Sequence, residues 1–251
     1  MLLHGGTASA RTWRDVIPLL SDRYHVYSPS LLGHRGGPAP HRRPVTANDI
    51  VDWAAGYLDE NDLARPHLAG HSLGGYVAIE LARRGRAASV CAMSPGGFWG
   101  TGDGLRARTM GKVAKSKGPA RAIRPFLPII LKPAWVRRLW FSSGAVHGDR
   151  VTVERGVEIF DDFLGCTVMR EVFNSDDQQV ATFDSLACPV TVAWAEKDKI
   201  LPLDDYGPIV RKRLPQATFE VMPGVGHDPT MDAPDLVAQT ILRVAGAVDA
   251  V

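Results

Sequence analysis

Gly70-His71-Ser72-Leu73-Gly74-Gly75 carries the clearest chemistry in the sequence. A glycine-x-serine-x-glycine run suits a sharp strand-to-helix turn that lifts a serine hydroxyl above a sheet, with glycine where a Cβ would clash. A free hydroxyl is a weak nucleophile, so such a site needs a base. Of eight histidines, His227 in Gly224-Val225-Gly226-His227 follows a late β-prone run, on a loop that can reach the serine. The base in turn needs a carboxylate to orient it and stabilise its positive form. Asp198, just after the run PVTVAWA, fits that role; Glu196 is its nearest rival, and Asp228 is expected to point away from the neighbouring His227. Negative charge developing on an attacked carbonyl calls for two backbone N–H donors. One should be Leu73, directly after the serine, and the other Gly6, in His4-Gly5-Gly6-Thr7. His71 is read as a packing or hydrogen-bonding neighbour of Ser72, and His4 as a residue that shapes the turn before Gly6.

The elements that must hold these residues alternate. Strand-like runs at Met1–His4, Tyr24–Ser28, Pro66–Ala69, Ala87–Met93, Pro189–Ala195 and Ala217–Met222 alternate with helical spacing at Ser9–Leu20, Leu73–Arg84, Asp204–Leu214 and Pro234–Val248. Thr46 is placed to cap a further helix, with Ile50, Trp53, Ala54, Tyr57 and Leu58 on one face. This rhythm predicts an α/β protein with a mostly parallel sheet flanked by helices. It breaks from Gly97 to about Thr182, where only helical pieces are legible: Leu105–Lys117, Ala120–Leu131, Ala134–Phe141, Val151–Leu164 and Val168–Asn174. Charge shifts over the same stretch. Residues 97–150 hold eleven basic and two acidic side chains, and residues 151–180 hold two basic and seven acidic. The expected organisation is a core of residues 1–96 and 183–251 with a helical cap, residues 97–182, inserted into it.

Composition removes other classes. The chain has 251 residues, 45% hydrophobic and 22% charged, which is a globular mixture. No apolar run is long enough to span a membrane, and no basic-then-apolar leader opens the sequence, so a cytoplasmic location is expected. Three cysteines, Cys91, Cys166 and Cys188, show no metal-ligand spacing and are read as reduced thiols. No phosphate-cradling loop or metal motif is present, and no cofactor is expected. With a net charge of +2 and no recognised nucleic-acid module, nucleic-acid binding is not expected. Phe126–Phe141 mixes apolar, aromatic and basic residues. It is read as a pair of cap helices with a buried apolar face, rather than a membrane contact.

The order serine, acid, histidine, together with LLHGGTASARTW, GHSLGG, AWAEKDKILPL and PGVGHDPTMDAPDLVAQTIL, resembles the α/β-hydrolase fold superfamily, in its capped serine esterase and haloperoxidase-like form. The likeness covers both ends of the chain; the middle matches only in being helical. It implies Ser72 as nucleophile, Asp198 as acid, His227 as base, and Gly6 and Leu73 as oxyanion-hole donors. It also implies that the cap falls between the sixth and seventh strands. Two departures stand out. Such proteins usually have two further strands before the His-Gly strand, whereas this sequence begins inside that strand: either its start is truncated or mis-assigned, or the sheet lacks an edge pair and would expose a strand edge. The loop after the second visible strand also lacks its usual aspartate. Relatives acting on alkyl halides and epoxides use an aspartate at the elbow, so Ser72 points away from those reactions. The expected activity is hydrolysis of a carboxylic ester or related acyl bond of a small molecule. Two alternatives are carbon–carbon bond hydrolysis or lysis of a diketone-like substrate and, in a different class, a non-catalytic ligand receptor. Phe98, Trp99, Leu201, Met169 and Phe173 are the candidate pocket wall, with cap core as the competing reading for Met169 and Phe173.

Overall fold

The computed structural model describes residues 1–99, 117–175, 177–183 and 185–250. Five parallel strands, β1 (Leu2–Leu3), β2 (His67–His71), β3 (Ser89–Met93), β4 (Val190–Ala195) and β5 (Thr218–Met222), pair in sequence order into one sheet. The register sets His67 against Ser89, Val90 against Val190, and Thr191 against Thr218. Parallel neighbours need long crossovers, and helices supply them on both faces. Side chains therefore alternate between two cores. Val90, Ala92, Val192 and Trp194 pack with Ile50, Leu58 and Val77. Cys91, Met93, Ala193 and Ala195 pack with Trp13, Val237 and Ile241. All three cysteines are buried free thiols.

The helices flanking the site follow the expected spacing. Thr46 and Asp49 form a reciprocal capping box on the helix Ala47–Glu60. The helix Leu73–Arg83 is buried along nearly its whole length, and Pro234–Asp249 closes the opposite face.

Four expectations are corrected. Tyr24–Ser28 is not a strand: β1 beside it is only two residues long, and the Tyr27 carbonyl accepts just the Leu2 N–H, at 2.8 Å. Ser9–Leu20 is not one helix. Ser9 caps a 3₁₀ turn, Ala10–Trp13, and a separate helix, Ile17–Leu20, starts around Pro18, which has no N–H to continue a helix from before it. In the same way Pro125 and Pro128 divide the expected Ala120–Leu131 helix into Lys117–Ile123, Arg124–Phe126 and Leu127–Ile130. The Phe126–Phe141 run also differs. Leu127, Leu131 and Phe141 are buried, but Phe126, Ile129, Trp135 and Leu139 are exposed. There Arg137 turns inward to the carbonyls of Leu131 and Lys132.

Between β3 and β4 the described residues form only helices, including Ala134–Trp140, Val153–Gly165 and Met169–Asn174. The expected helix Leu105–Lys117 lies outside the described residues except for Lys117. The insertion is tied to the core by apolar packing, with Cys166, Val168, Met169 and Val172 buried in the main core, and by polar bonds. Buried Asp162 accepts from Ser9 Oγ at 2.7 Å and pairs with Arg11; Glu171 pairs with Arg43 and accepts the Val45 N–H at 2.7 Å.

Candidate active site

Ser72 lies at the junction of β2 and the helix Leu73–Arg83, with φ 51° and ψ −112°. A positive φ on a residue with a Cβ costs of order 1–3 kcal/mol and survives only where the surroundings enforce it. They do so here. The Ser72 N–H donates to Met93 at 2.9 Å, and its carbonyl accepts from Tyr76 and Gly96 at 3.1 and 3.0 Å. The neighbouring glycines permit the turn: a Cβ on Gly70 would sit 2.1 Å from the Gly74 oxygen, and one on Gly74 2.0 Å from the Leu3 oxygen. Leu73 is the first helical residue, so its N–H has no partner within the helix.

Asp198 and His227 come from the loops after β4 and β5. The His227 Nδ1–H donates to Asp198 Oδ2 at 2.7 Å, with both residues buried. The other carboxylate oxygen, Oδ1, accepts the N–H groups of Ile200 and Leu201 at 2.9 and 2.7 Å. With Nδ1 carrying the proton, Nε2 is left as the basic nitrogen. Burial pushes the His227 pKa down, but the charge and hydrogen bond of Asp198, aided by Asp228, outweigh it, and the net shift is upward. Burial likewise raises Asp198, but His227 and the donors around the carboxylate bring it below its usual range. Ser72 and His227 share the wall of one cavity without a hydrogen bond between them.

Glu196, the rival acid, instead pairs with Lys197 and accepts the Gly224 N–H at 2.7 Å. His71 donates from Nε2 to the His227 carbonyl at 2.6 Å. Its burial, partly offset by Asp228, takes it down to a pKa of about 4, so a neutral ring backs the His227 loop. Buried His4 bonds the Gly5 carbonyl through Nδ1 at 2.8 Å and accepts the Leu31 N–H at Nε2, at 2.9 Å. This fixes the turn that leads into Gly6.

The cavity has a volume of about 840 Å³. Gly6, Ser72, Leu73, Trp99, Phe173, Leu201 and His227 line it. Two expected wall residues do not. Phe98 is fully buried in the core, because the chain leaving β3 turns it inward. Met169 sits behind the wall: a Cβ on Gly6 would lie 2.7 Å from its Cε, so it backs the Gly6 loop. The insertion contributes Phe160, Phe163, Ile159 and Arg155, which sequence reading did not single out. The spacing of Ile159, Phe160 and Phe163 on one helical face was the available signal. Asp232 was also missed, and no local signal marks it. It is buried and accepts the N–H groups of Gly226, Val146 and His147 at 2.8, 2.9 and 2.8 Å. One carboxylate thus joins the His227 loop to the insertion. Among the described residues, no cluster of His, Cys, Asp and Glu is arranged to hold a metal ion.

The family model described as "Alpha/beta hydrolase family" matches residues 1–240. The chain belongs to the alpha/beta hydrolase family. It is 28% identical over 196 residues to "Epoxide hydrolase EphH" of Mycobacterium tuberculosis H37Rv, covering 76% of this chain and 91% of that protein. Among solved structures it is similar to a thermophilic esterase from Thermogutta terrifontis, with a TM-score of 0.71 and 23% identity over 98% of this chain and 89% of that one. It is also similar to 2-hydroxy-6-oxo-6-phenylhexa-2,4-dienoate hydrolase from Rhodococcus sp. RHA1, with a TM-score of 0.73 and 22% identity over 96% and 88%. At these identities the structural likenesses establish the shared fold. Among the described residues, no helix is long and apolar enough to cross a membrane.

Proposed function

We propose that this alpha/beta hydrolase cleaves a carboxylic ester or related acyl bond of a small molecule through an acyl-enzyme. The observation that carries this reading is the buried Asp198–His227 hydrogen bond of 2.7 Å, with its histidine on the same cavity wall as the strained Ser72. Ser72 Oγ attacks the acyl carbon while His227 Nε2 takes its proton. Asp198 holds the ring in this tautomer and stabilises the imidazolium. The N–H groups of Gly6 and Leu73 receive the developing oxyanion. His227 then protonates the departing alcohol, and water, activated by the same ring, releases the acid. The reading requires no cofactor, and the helical insertion acts as the cap that sets substrate choice.

The likeness to an epoxide hydrolase raises a rival chemistry, and Ser72 argues against it. A serine that opened an epoxide would form an alkyl ether, which a histidine-activated water does not hydrolyse; an acyl ester on serine is readily cleaved. Carbon–carbon hydrolysis of a diketone-like substrate can use the same three side chains and remains the second reading, raised by the likeness to the dienoate hydrolase. The test is hydrolysis of aryl esters of graded acyl length, beside a dienoate diketone, with fluorophosphonate labelling of the protein. Ser72→Ala should abolish labelling and lower kcat by a factor on the order of 10³ or more. Retained labelling or unchanged turnover in that variant overturns the proposal. Faster turnover of the diketone than of every ester selects the second reading. Ligand-dependent thermal stabilisation with no turnover at all would indicate a receptor.

A further inference from the structure

The insertion turns large apolar side chains outward. Phe126, Ile129, Trp135 and Leu139 are 59%, 67%, 71% and 70% exposed. Scattered singly, such residues are ordinary; gathered in one place, they mark a contact surface. They are gathered here. Trp135 and Leu139 lie one turn apart on the helix Ala134–Trp140, and Phe126 and Ile129 lie three residues apart on the two short helices before it. Both arms rest on the same support: a Cβ on Gly156 of the helix Val153–Gly165 would lie 2.8 Å from Leu131 Cδ1 and 3.2 Å from Phe141 Cζ. Arg137 closes the turn between the arms by donating to the Leu131 and Lys132 carbonyls at 2.8 and 2.6 Å. Leu127, Leu131 and Phe141 are the buried side of this hairpin, so its exposed side chains share one outer face.

The charge on that face has one sign. Residues 117–148 hold six basic side chains and no acidic one. Arg124 is paired with Asp161, and Arg137 is bonded to backbone carbonyls. Arg121, Lys132 and Arg138 are exposed and have no ion-pair partner among the described residues. Lys132 follows Ile129 by three residues and Arg138 follows Trp135 by three, so cations and apolar side chains interleave. The face also adjoins the cavity. Trp140 is 38% exposed and lines the cavity, with its ring centroid 6.2 Å from that of Phe160 on the same wall. Exposed Pro119 lines it as well.

We propose that this face docks on the surface of an anionic lipid bilayer. Phe126, Ile129, Trp135 and Leu139 enter the headgroup layer, and Arg121, Lys132 and Arg138 meet the lipid phosphates. Apolar side chains gain by leaving water there, and each cation near an anionic surface strengthens binding about five-fold. The same charge disfavours a second copy as the occupant: two such faces meeting would press cations together with no carboxylate between them. The contact is peripheral, since among the described residues no helix is long and apolar enough to cross a membrane. Docking would set the rim of the Ser72 cavity at the bilayer, where an acyl compound dissolved in the lipid could enter. The docking goes beyond the hydrolase reading and does not depend on it.

The experiment is co-sedimentation with vesicles at an ionic strength of about 0.15 M. One set is pure phosphatidylcholine, and the other holds about one part in three phosphatidylglycerol as the anionic lipid. Wild type should partition onto the anionic vesicles about 10-fold or more better than onto the neutral ones. Trp135→Ser/Leu139→Ser should weaken that binding by about 10-fold or more. Lys132→Gln/Arg138→Gln should weaken it about as much on anionic vesicles and hardly change it on neutral ones. All four side chains are exposed, so melting temperatures should stay within about 2 °C of wild type. Each measurement is made without substrate, so loss of ester hydrolysis would leave it intact, and absence of docking would leave the hydrolase reading intact. No binding to anionic vesicles overturns the proposal, as does binding that survives Trp135→Ser/Leu139→Ser. A wild-type dimer that ignores vesicles and dissociates in that same variant also overturns it, and gives the face to a second copy.

Discussion

The elbow and the insertion hold the same cavity by opposite means. At Gly70–Gly75 the constraint is backbone against backbone: glycine α-carbons lie where any side chain would meet a carbonyl at about 2 Å, and Ser72 is forced to a positive φ. Across the cavity, the helices Val153–Gly165 and Met169–Asn174 are fastened by side chains, through Asp162, Glu171 and the buried Met169 and Val172, while Asp232 holds the Val146–His147 backbone. Nearby, Phe126, Ile129, Trp135 and Leu139 are left exposed. Backbone packing has almost no tolerance, whereas a half-exposed ion pair such as Arg43–Glu171 is individually weak and replaceable. A nucleophile needs the first kind of support. A wall that sets substrate choice can be built with the second.

The contrast is sharpest in glycine substitutions. Gly74→Ala places a methyl 2.0 Å from the Leu3 oxygen. It should destabilise the protein by about 3 kcal/mol or more, read as a collapse in soluble yield or in urea midpoint. Asp232→Ala comes next. It strands the N–H groups of Gly226, Val146 and His147, should cost about 2–3 kcal/mol, and should lower kcat more than it changes KM by loosening the His227 loop. Equal effects on turnover and stability in Asp232→Ala and in a surface carboxylate variant would dissolve the distinction.

pH separates the two histidines that meet at the elbow. His227 is raised above the ordinary 6.5, so the acid limb of kcat/KM, where the base must lose its proton, should have its midpoint above 6.5. His71 is depressed to about 4. The folded state binds its proton less readily than the unfolded chain, so His71 should remove stability as pH falls from 6.5 towards about 4. His71→Asn should flatten denaturation midpoints over that range. Gly56→Ala has open space around the added methyl and should stabilise by about 0.5–1 kcal/mol, opposite in sign to Gly74→Ala. Smallest is Arg43→Ala, which breaks the half-exposed pair with Glu171. It should cost under about 1 kcal/mol in a urea titration, less at high salt.

The sequence by itself determined the sheet-and-helix alternation, the Gly70–Gly75 turn and the identity of Ser72, because each depends on contacts a few residues apart. Glycine spacing, strand-length apolar runs and the Thr46 cap are local, so they can be read in one dimension. It also placed Asp198 and His227 on loops after late strands. Their hydrogen bond, spanning 29 residues of chain, became a fact only with the sheet register that aligns β4 with β5. Prolines at 18, 125 and 128 broke helices that apolar spacing alone had joined, since a missing N–H overrides periodicity. Tertiary structure alone decided that Phe98 turns into the core while Trp99 lines the cavity, and that Gln178 reaches the same wall. Asp232, the last residue of the short helix Pro229–Asp232, joins the nearby Gly226 N–H to those of Val146 and His147, more than 80 residues away, in the same way. Such residues act through partners far away in sequence, and only the folded chain brings donor and acceptor within about 3 Å.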